Sequence, residues 1–153
     1  MSGIINSVGS KSGVIGLFGQ NRPRFSVKNF DHAGSGSVIT YQSNTDVFYN
    51  IGGGLNLANG RFTPPVNGLY LLIFGVISNA ASTRTEFGMR LIRNASTTDI
   101  GSGDANPGTG NYGHAAAIAQ RDLLTTDYVH VKQHSGTILS NHPGCWYHGY
   151  LLQ

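Results

Sequence analysis

Cysteine is nearly absent: Cys145 is the single one in 153 residues. One thiol permits no internal disulfide and no zinc finger built on paired cysteines. Charge is also scarce, with 11% of residues charged against the roughly 25% usual for soluble domains. Seven acidic residues leave little material for the paired carboxylates of a glycosidase. Neither a Gly-x-Ser-x-Gly elbow nor a His-Glu-x-x-His pair is present. Gly52-Gly53-Gly54 lacks the Lys-Ser/Thr and the helix start of a phosphate loop. No enzyme and no cofactor are therefore expected.

Long apolar runs are missing too. The longest, Leu69 to Ile77, is broken by Gly75 and falls well short of the ~20 residues of a membrane span. No membrane insertion is expected. Residues 1–18 show neither a cationic start nor an apolar core of the signal-peptide kind, so no secretory signal is expected. The formal net charge of +3 comes from scattered Lys and Arg, with only Arg22 and Arg24 close together. A nucleic-acid partner usually requires a basic stripe on one face, and none is legible.

Glycine (22 residues) and aromatics (10%) are what the chain has instead. A length of 153 residues suits one core rather than two. Few charges with many Tyr, Phe, Val and Ile imply that part of the exterior is covered by other subunits, because large apolar patches are uncommon on monomers. Residues 1–21 are too glycine-rich for a stable helix, each Gly costing about 1 kcal/mol relative to Ala. They nevertheless carry Ile4, Ile5, Val8, Val14, Ile15, Leu17 and Phe18, more apolar residues than a plain flexible linker. We expect an arm over 1–21 that docks on a partner, followed by one domain over 22–153.

From Pro23 the chain becomes short β-type runs separated by turn residues, with no 3.6-residue apolar stripe. Strands are expected at Arg24–Lys28, Ser37–Tyr41, Phe48–Ile51, Gly60–Thr63, Gly68–Ser78, Glu86–Arg93, Tyr112–Gln120, Tyr128–Gln133 and Cys145–Leu152. Asn59-Gly60 and Asn67-Gly68 mark turns, and Pro64-Pro65 cannot sit inside a central strand. Many short strands without helices predict a sandwich or barrel. In Gly68–Ser78, Tyr70, Leu72 and Phe74 share one face while Leu69, Leu71 and Ile73 share the other, so this strand is covered on both sides.

Ser96 to Gly113, rich in Gly, Ser, Thr, Asp and Asn, reads as a long exposed loop suited to recognition, with Asp99, Asp104, Asn106, Asn111 and Tyr112 as its contact residues. Asp99 and Asp104 close no EF-hand pattern, and no metal is expected there. Among six histidines, His130 and His134 share strand parity with Lys132, and His148 with Trp146 and Tyr150. Hydrogen-bonded interface histidines are the expected reading, rather than a metal set.

Several segments together resemble the globular head of complement component 1q, a relative of the tumour necrosis factor jelly roll. Pro23 to Val27 resembles its opening strand, and Asn50-Ile51-Gly52-Gly53 its asparagine and glycine ahead of a short strand. The most specific block is Asn59-Gly60-Arg61-Phe62-Thr63-Pro64-Pro65-Val66-Asn67-Gly68-Leu69-Tyr70. Met89 to Asn94, Leu124 to Val131 and Trp146 to Leu152 resemble later strands, with Thr126 in place of a glycine and Tyr147 in place of a phenylalanine. The resemblance spans residues 23 to 152 and implies an all-β jelly-roll β-sandwich that assembles as a homotrimer. It implies interface or core roles for Phe62, Tyr70, Leu72, Phe74, Trp146, Tyr147 and Tyr150.

The arm shows no glycine at every third position, so no collagen stalk is expected. Instead Ile5 to Gly16 resembles the starts of structural proteins of tailed bacteriophages. That resemblance implies a virion structural protein on the particle surface: a capsid decoration protein or short head fibre whose partner is a major capsid or tail protein. The alternative is the receptor- or carbohydrate-binding tip of a tail fibre, with a host-surface glycan as partner.

Overall fold

A computed structural model describes residues 22–29, 34–41, 45–78, 84–106, 112–139 and 142–153. The arm and its seven apolar residues, Ile4, Ile5, Val8, Val14, Ile15, Leu17 and Phe18, lie outside them, as does Asn111. Among the described residues every regular element is a strand: β1 (Arg24–Lys28), β2 (Asp46–Ile51), β3 (Leu55–Asn56), β4 (Arg61–Phe62), β5 (Gly68–Ser78), β6 (Thr85–Arg93), β7 (Ser96–Ala105), β8 (Gly113–Leu123), β9 (Tyr128–Ser135) and β10 (Trp146–Leu151).

Two five-stranded antiparallel sheets form, in the orders β2-β1-β10-β5-β8 and β3-β4-β9-β6-β7. Neighbours in space are distant in sequence, as in β1–β10, which gives the jelly-roll weave. Tyr70, Leu72 and Phe74 of β5, Phe25 and Val27 of β1 and Tyr147 of β10 face inward against Phe62, Phe87, Met89, Val129 and Val131 of the second sheet. Full burial of such a side chain stabilises by about 1.5–3 kcal/mol. Several core rings meet edge to face: Phe74 meets Phe87 at 5.1 Å and 63°, and Phe25 meets Tyr147 at 4.7 Å and 68°. Edge-to-face packing of this kind favours the ring quadrupoles.

The expected loop over Ser96 to Gly113 is in part a strand. β7 pairs with β6 along its whole length, from Arg93 opposite Ser96 to Thr85 opposite Ala105. Two features hide it in the sequence. Its hairpin turn is Asn94-Ala95, with φ of 51° and 61°, a left-handed pair usually signalled by Asn-Gly. Its glycines, typical of loops, are demanded by packing. A Cβ at Gly101 would lie 2.8 Å from Met89 Cε and 3.2 Å from the Ile118 carbonyl, and one at Gly103 would lie 3.0 Å from the Ala116 carbonyl. Bare backbone there lets the edge strands β7 and β8 of the two sheets close together, so that Asp99 and Asp104 sit on a paired strand and not on a loop.

Ser37–Tyr41 forms no continuous strand. Val38 makes an isolated bridge to Lys132, the Ile39 N–H donates to the Val131 carbonyl at 2.9 Å, and the Tyr41 N–H donates to the Leu57 carbonyl at 2.9 Å. Pairing that switches partners cannot extend a ladder, although Ile39 and Tyr41 are fully buried. The short β3 was also not expected.

Candidate functional site

The pleat of β5 sorts the apolar residues of the chain into two sets. With Tyr70, Leu72 and Phe74 in the core, Leu71 and Ile73 point away from it, half-buried. Register then builds rows across the outer side of this sheet. His148 stands opposite Ile73, which stands opposite Ile118. Tyr150 stands opposite Leu71, and Trp146 opposite Gly75. Ile118 is 66% exposed, although isoleucine is among the residues most often fully buried. Gly75 is required here, because any Cβ would fall inside the Trp146 indole.

The aromatic side chains on this face are ordered by one another. Trp146 and His148 stack at 5.2 Å and 22°, and the Tyr49 hydroxyl bonds the Tyr150 hydroxyl at 3.1 Å. That bond, with burial, pushes the Tyr150 hydroxyl up to about 12. Burial and the nearby Lys28 ammonium lower the basicity of His148, whose Nδ1 is buried with no hydrogen-bond partner among the described residues. At neutral pH His148 is therefore an uncharged ring, and the centre of the face is aromatic and aliphatic, with Lys28 beside Trp146 and Arg24 over the Tyr49 ring at its β1–β2 side. Toward β2 it falls into a hollow of about 290 Å³ lined by Ser26, Lys28, Phe48, Tyr49, His148 and Tyr150.

The seven residues expected at an interface or in the core thus separate. Phe62, Tyr70, Leu72, Phe74 and Tyr147 are core residues at 2% exposure or less, while Trp146 and Tyr150 belong to the outer face. Ile118, Phe48 and Tyr49 were not singled out from the sequence. Ile118 sits in an alanine-rich strand whose outward parity becomes visible only through pairing with β5.

Of the expected loop residues, Asp99 accepts from Arg90 Nε at 2.9 Å and Asp104 from Arg84 Nε at 3.2 Å. Asn106 is exposed just past β7, and Tyr112 is exposed just before β8. Among the described residues no group of three or more His, Cys, Asp or Glu side chains could hold a metal ion.

Two antiparallel sheets in a jelly roll, with a second apolar surface outside the core, define a β-sandwich of the tumour necrosis factor and complement class. The sequence over residues 24–152 matches the C1q domain, and the chain belongs to that family. Its fold is similar to the globular domain of zebrafish complement 1qA protein, with 20% identity, a TM-score of 0.66, and 86% of this chain and 98% of that one covered. Murine APRIL at pH 5.0 is similar at 14% identity and a TM-score of 0.70, covering 86% and 99%. The Eiger tumour necrosis factor of S. frugiperda is similar at 8% identity and a TM-score of 0.69, covering 88% and 94%. No curated protein matches the sequence.

Proposed function

We propose that the protein is a non-enzymatic, homotrimeric binding knob. The observation that carries this reading is the outer face of the β2-β1-β10-β5-β8 sheet: Leu71, Ile73, Ile118 and Trp146 form an apolar surface that the described residues of the subunit leave partly or largely exposed. A closed ring of heterologous contacts would hide it, with the β8 edge and its Ile118 on one copy entering the hollow beside β1 and β2 on the next. Obligate interfaces of this kind resemble a domain core cut in half. Membership of the C1q domain family supports the same reading.

In its finer form, the knob is a virion structural protein, a bacteriophage capsid decoration protein or short head fibre held by residues 1–21. The support for this is the likeness of Ile5 to Gly16 to phage structural proteins. Three arms binding together would gain avidity from weak individual contacts.

Sedimentation equilibrium of the full chain at micromolar and nanomolar concentration tests the assembly. A trimer that Ile118→Arg converts to a folded monomer is the expected result, and a wild-type chain sedimenting as a stable single copy overturns it. Deleting residues 1–21 tests the anchoring: particle binding should be lost with the trimer intact. A truncated trimer that still binds cells would instead mark a receptor-binding tip.

A further inference from the structure

The opposite side of the sandwich carries a second, chemically different surface. We propose that the solvent-facing side of the β4–β9–β6 sheet, built on Arg61, Arg90 and Lys132, binds an anionic polysaccharide bearing sulfate or phosphate groups. This goes beyond the assembly reading, and because the patch lies on the other sheet it does not depend on it.

Sheet register assembles the patch from residues far apart in sequence. Arg61 of β4 stands opposite His130 of β9, and His130 stands opposite Arg90 of β6. Adjacent strands lie about 4.8 Å apart, so the two guanidinium groups flank one imidazole. Lys132 follows two residues along β9 and points the same way. The alternating partners Phe62, Leu91, Val129 and Val131 are buried in the core, which leaves this row on the solvent side.

The cations are held and only partly neutralised. The Arg61 guanidinium lies 4.4 Å over the Tyr128 ring, which orients its planar fork for a bidentate oxyanion. Arg90 shares Asp99 at 2.9 Å. The next acids, Glu86 and Asp104, sit further along the sheet, each paired with Arg84. Between Lys132 and Ser102 the row contains Gly88, where a Cβ would come within 2.8 Å of His134 Nε2. Gly88 is buried, so the His134 imidazole lies over bare backbone beside Lys132 and adds a second ring to the row.

His130 records the unbalanced field. Burial, then Arg61, Arg90 and Lys132 in turn, lower it to about 4, and its Nδ1 is buried with no partner among the described residues. Among the described residues, Tyr128 and His134 on its own strand and Asp99, paired with Arg90, also lie near it in the register. A polyanion laid across the row would offset the three cations and make protonation of His130 easier. By reciprocity, binding should strengthen as the pH falls.

A nucleic acid fits less well. Tyr128, the largest ring in the row on which a base could stack, is already covered by Arg61. Three strands span only about 10 Å, too short for the basic stripe that follows a duplex.

Titration calorimetry of the full chain with heparin, used as a sulfated polysaccharide, tests the proposal. Arg61→Gln and Lys132→Gln should each weaken binding and lower the salt slope by about one, and Asp99→Asn should tighten it by releasing Arg90. Saturating heparin should raise the titration midpoint of the His130 ring protons in NMR spectra. The proposal is overturned if the chain does not bind heparin, if the Arg61→Gln/Lys132→Gln double variant with an unchanged circular dichroism spectrum binds as tightly as wild type, or if the His130 midpoint does not move. A thymidine oligonucleotide of equal charge that displaces heparin at equal concentration would overturn the choice of polysaccharide.

Discussion

Arg93 closes on Asp127 across the end of the β6–β9 ladder, Nη2 donating to Oδ2 at 2.6 Å and Nε donating to both carboxylate oxygens at 3.0 and 3.1 Å. The Asp127 side chain is fully buried while that of Arg93 is 39% exposed. The same Oδ2 accepts the Leu124 N–H at 2.7 Å, so one carboxylate both pins β6 and shapes the turn into β9. This turn forms with Thr126 where the family pattern has glycine.

Asp127→Asn should lower stability by about 2 kcal/mol, the usual cost of losing hydrogen bonds to a charged group. The Arg93 contact holds the Asp127 carboxyl below its ordinary 3.8. A depressed carboxylate stabilises the fold above its unfolded value and loses that contribution as the pH falls through the folded one. Urea midpoints measured below about pH 4 should therefore drop more steeply for wild type than for Asp127→Asn.

A second acid-sensitive window belongs to His130. Its basicity is lowered from 6.5 to about 4, so the unfolded chain takes up the proton first. Stability should be complete above pH 6.5 and decline toward pH 4. His130→Gln should flatten that part of the urea-midpoint profile and leave the lower window in place.

Gly75→Ala should act on assembly more than on folding. The added methyl must displace the Trp146 indole from its seat, spoiling the outer face while the inward Phe74 stays buried. Sedimentation should show a weakened oligomer at a concentration where wild type is fully associated, with a smaller change in the monomer's thermal midpoint.

Ala95→Gly should raise stability by about 1 kcal/mol, because Ala95 holds φ at 61° and left-handed backbone costs a residue with a Cβ about 1–2 kcal/mol. A higher urea midpoint with an unchanged denaturant slope would confirm it.

Tyr147→Phe should be neutral or slightly stabilising. The Tyr147 hydroxyl is buried with no partner among the described residues, and burying an unpaired hydroxyl is unfavourable. Equal or higher thermal midpoints for the variant would bear this out, whereas a loss above about 1 kcal/mol would imply a partner for the oxygen.

The sequence is most legible where local pattern and burial agree. β1 and β5 run over the expected residues, because short apolar runs bounded by Pro23 and by Asn67-Gly68 leave few alternatives. Legibility fails where a residue serves a distant neighbour. Gly101 and Gly103 look like loop glycines but clear space for β8, and Ala95 occupies a turn position that glycine would have advertised. The double-sided apolarity of β5 pointed to an outer face, but not to Ile118 as its most exposed member. Arg61, Arg90 and Lys132 look scattered along the chain, and only strand register gathers them around His130.

The mutual cover of β7 and β8 leaves β2 and β3 as the sheet borders on the other flank. β3 is two residues long, and β2 starts at Asp46 and pairs with β1 through a bulge at Ser26/Val27. Short, kinked and charged borders are poor templates for another strand. Many copies could thus be crowded together without fusing into a continuous cross-β stack, leaving side-chain faces to govern how one copy meets the next.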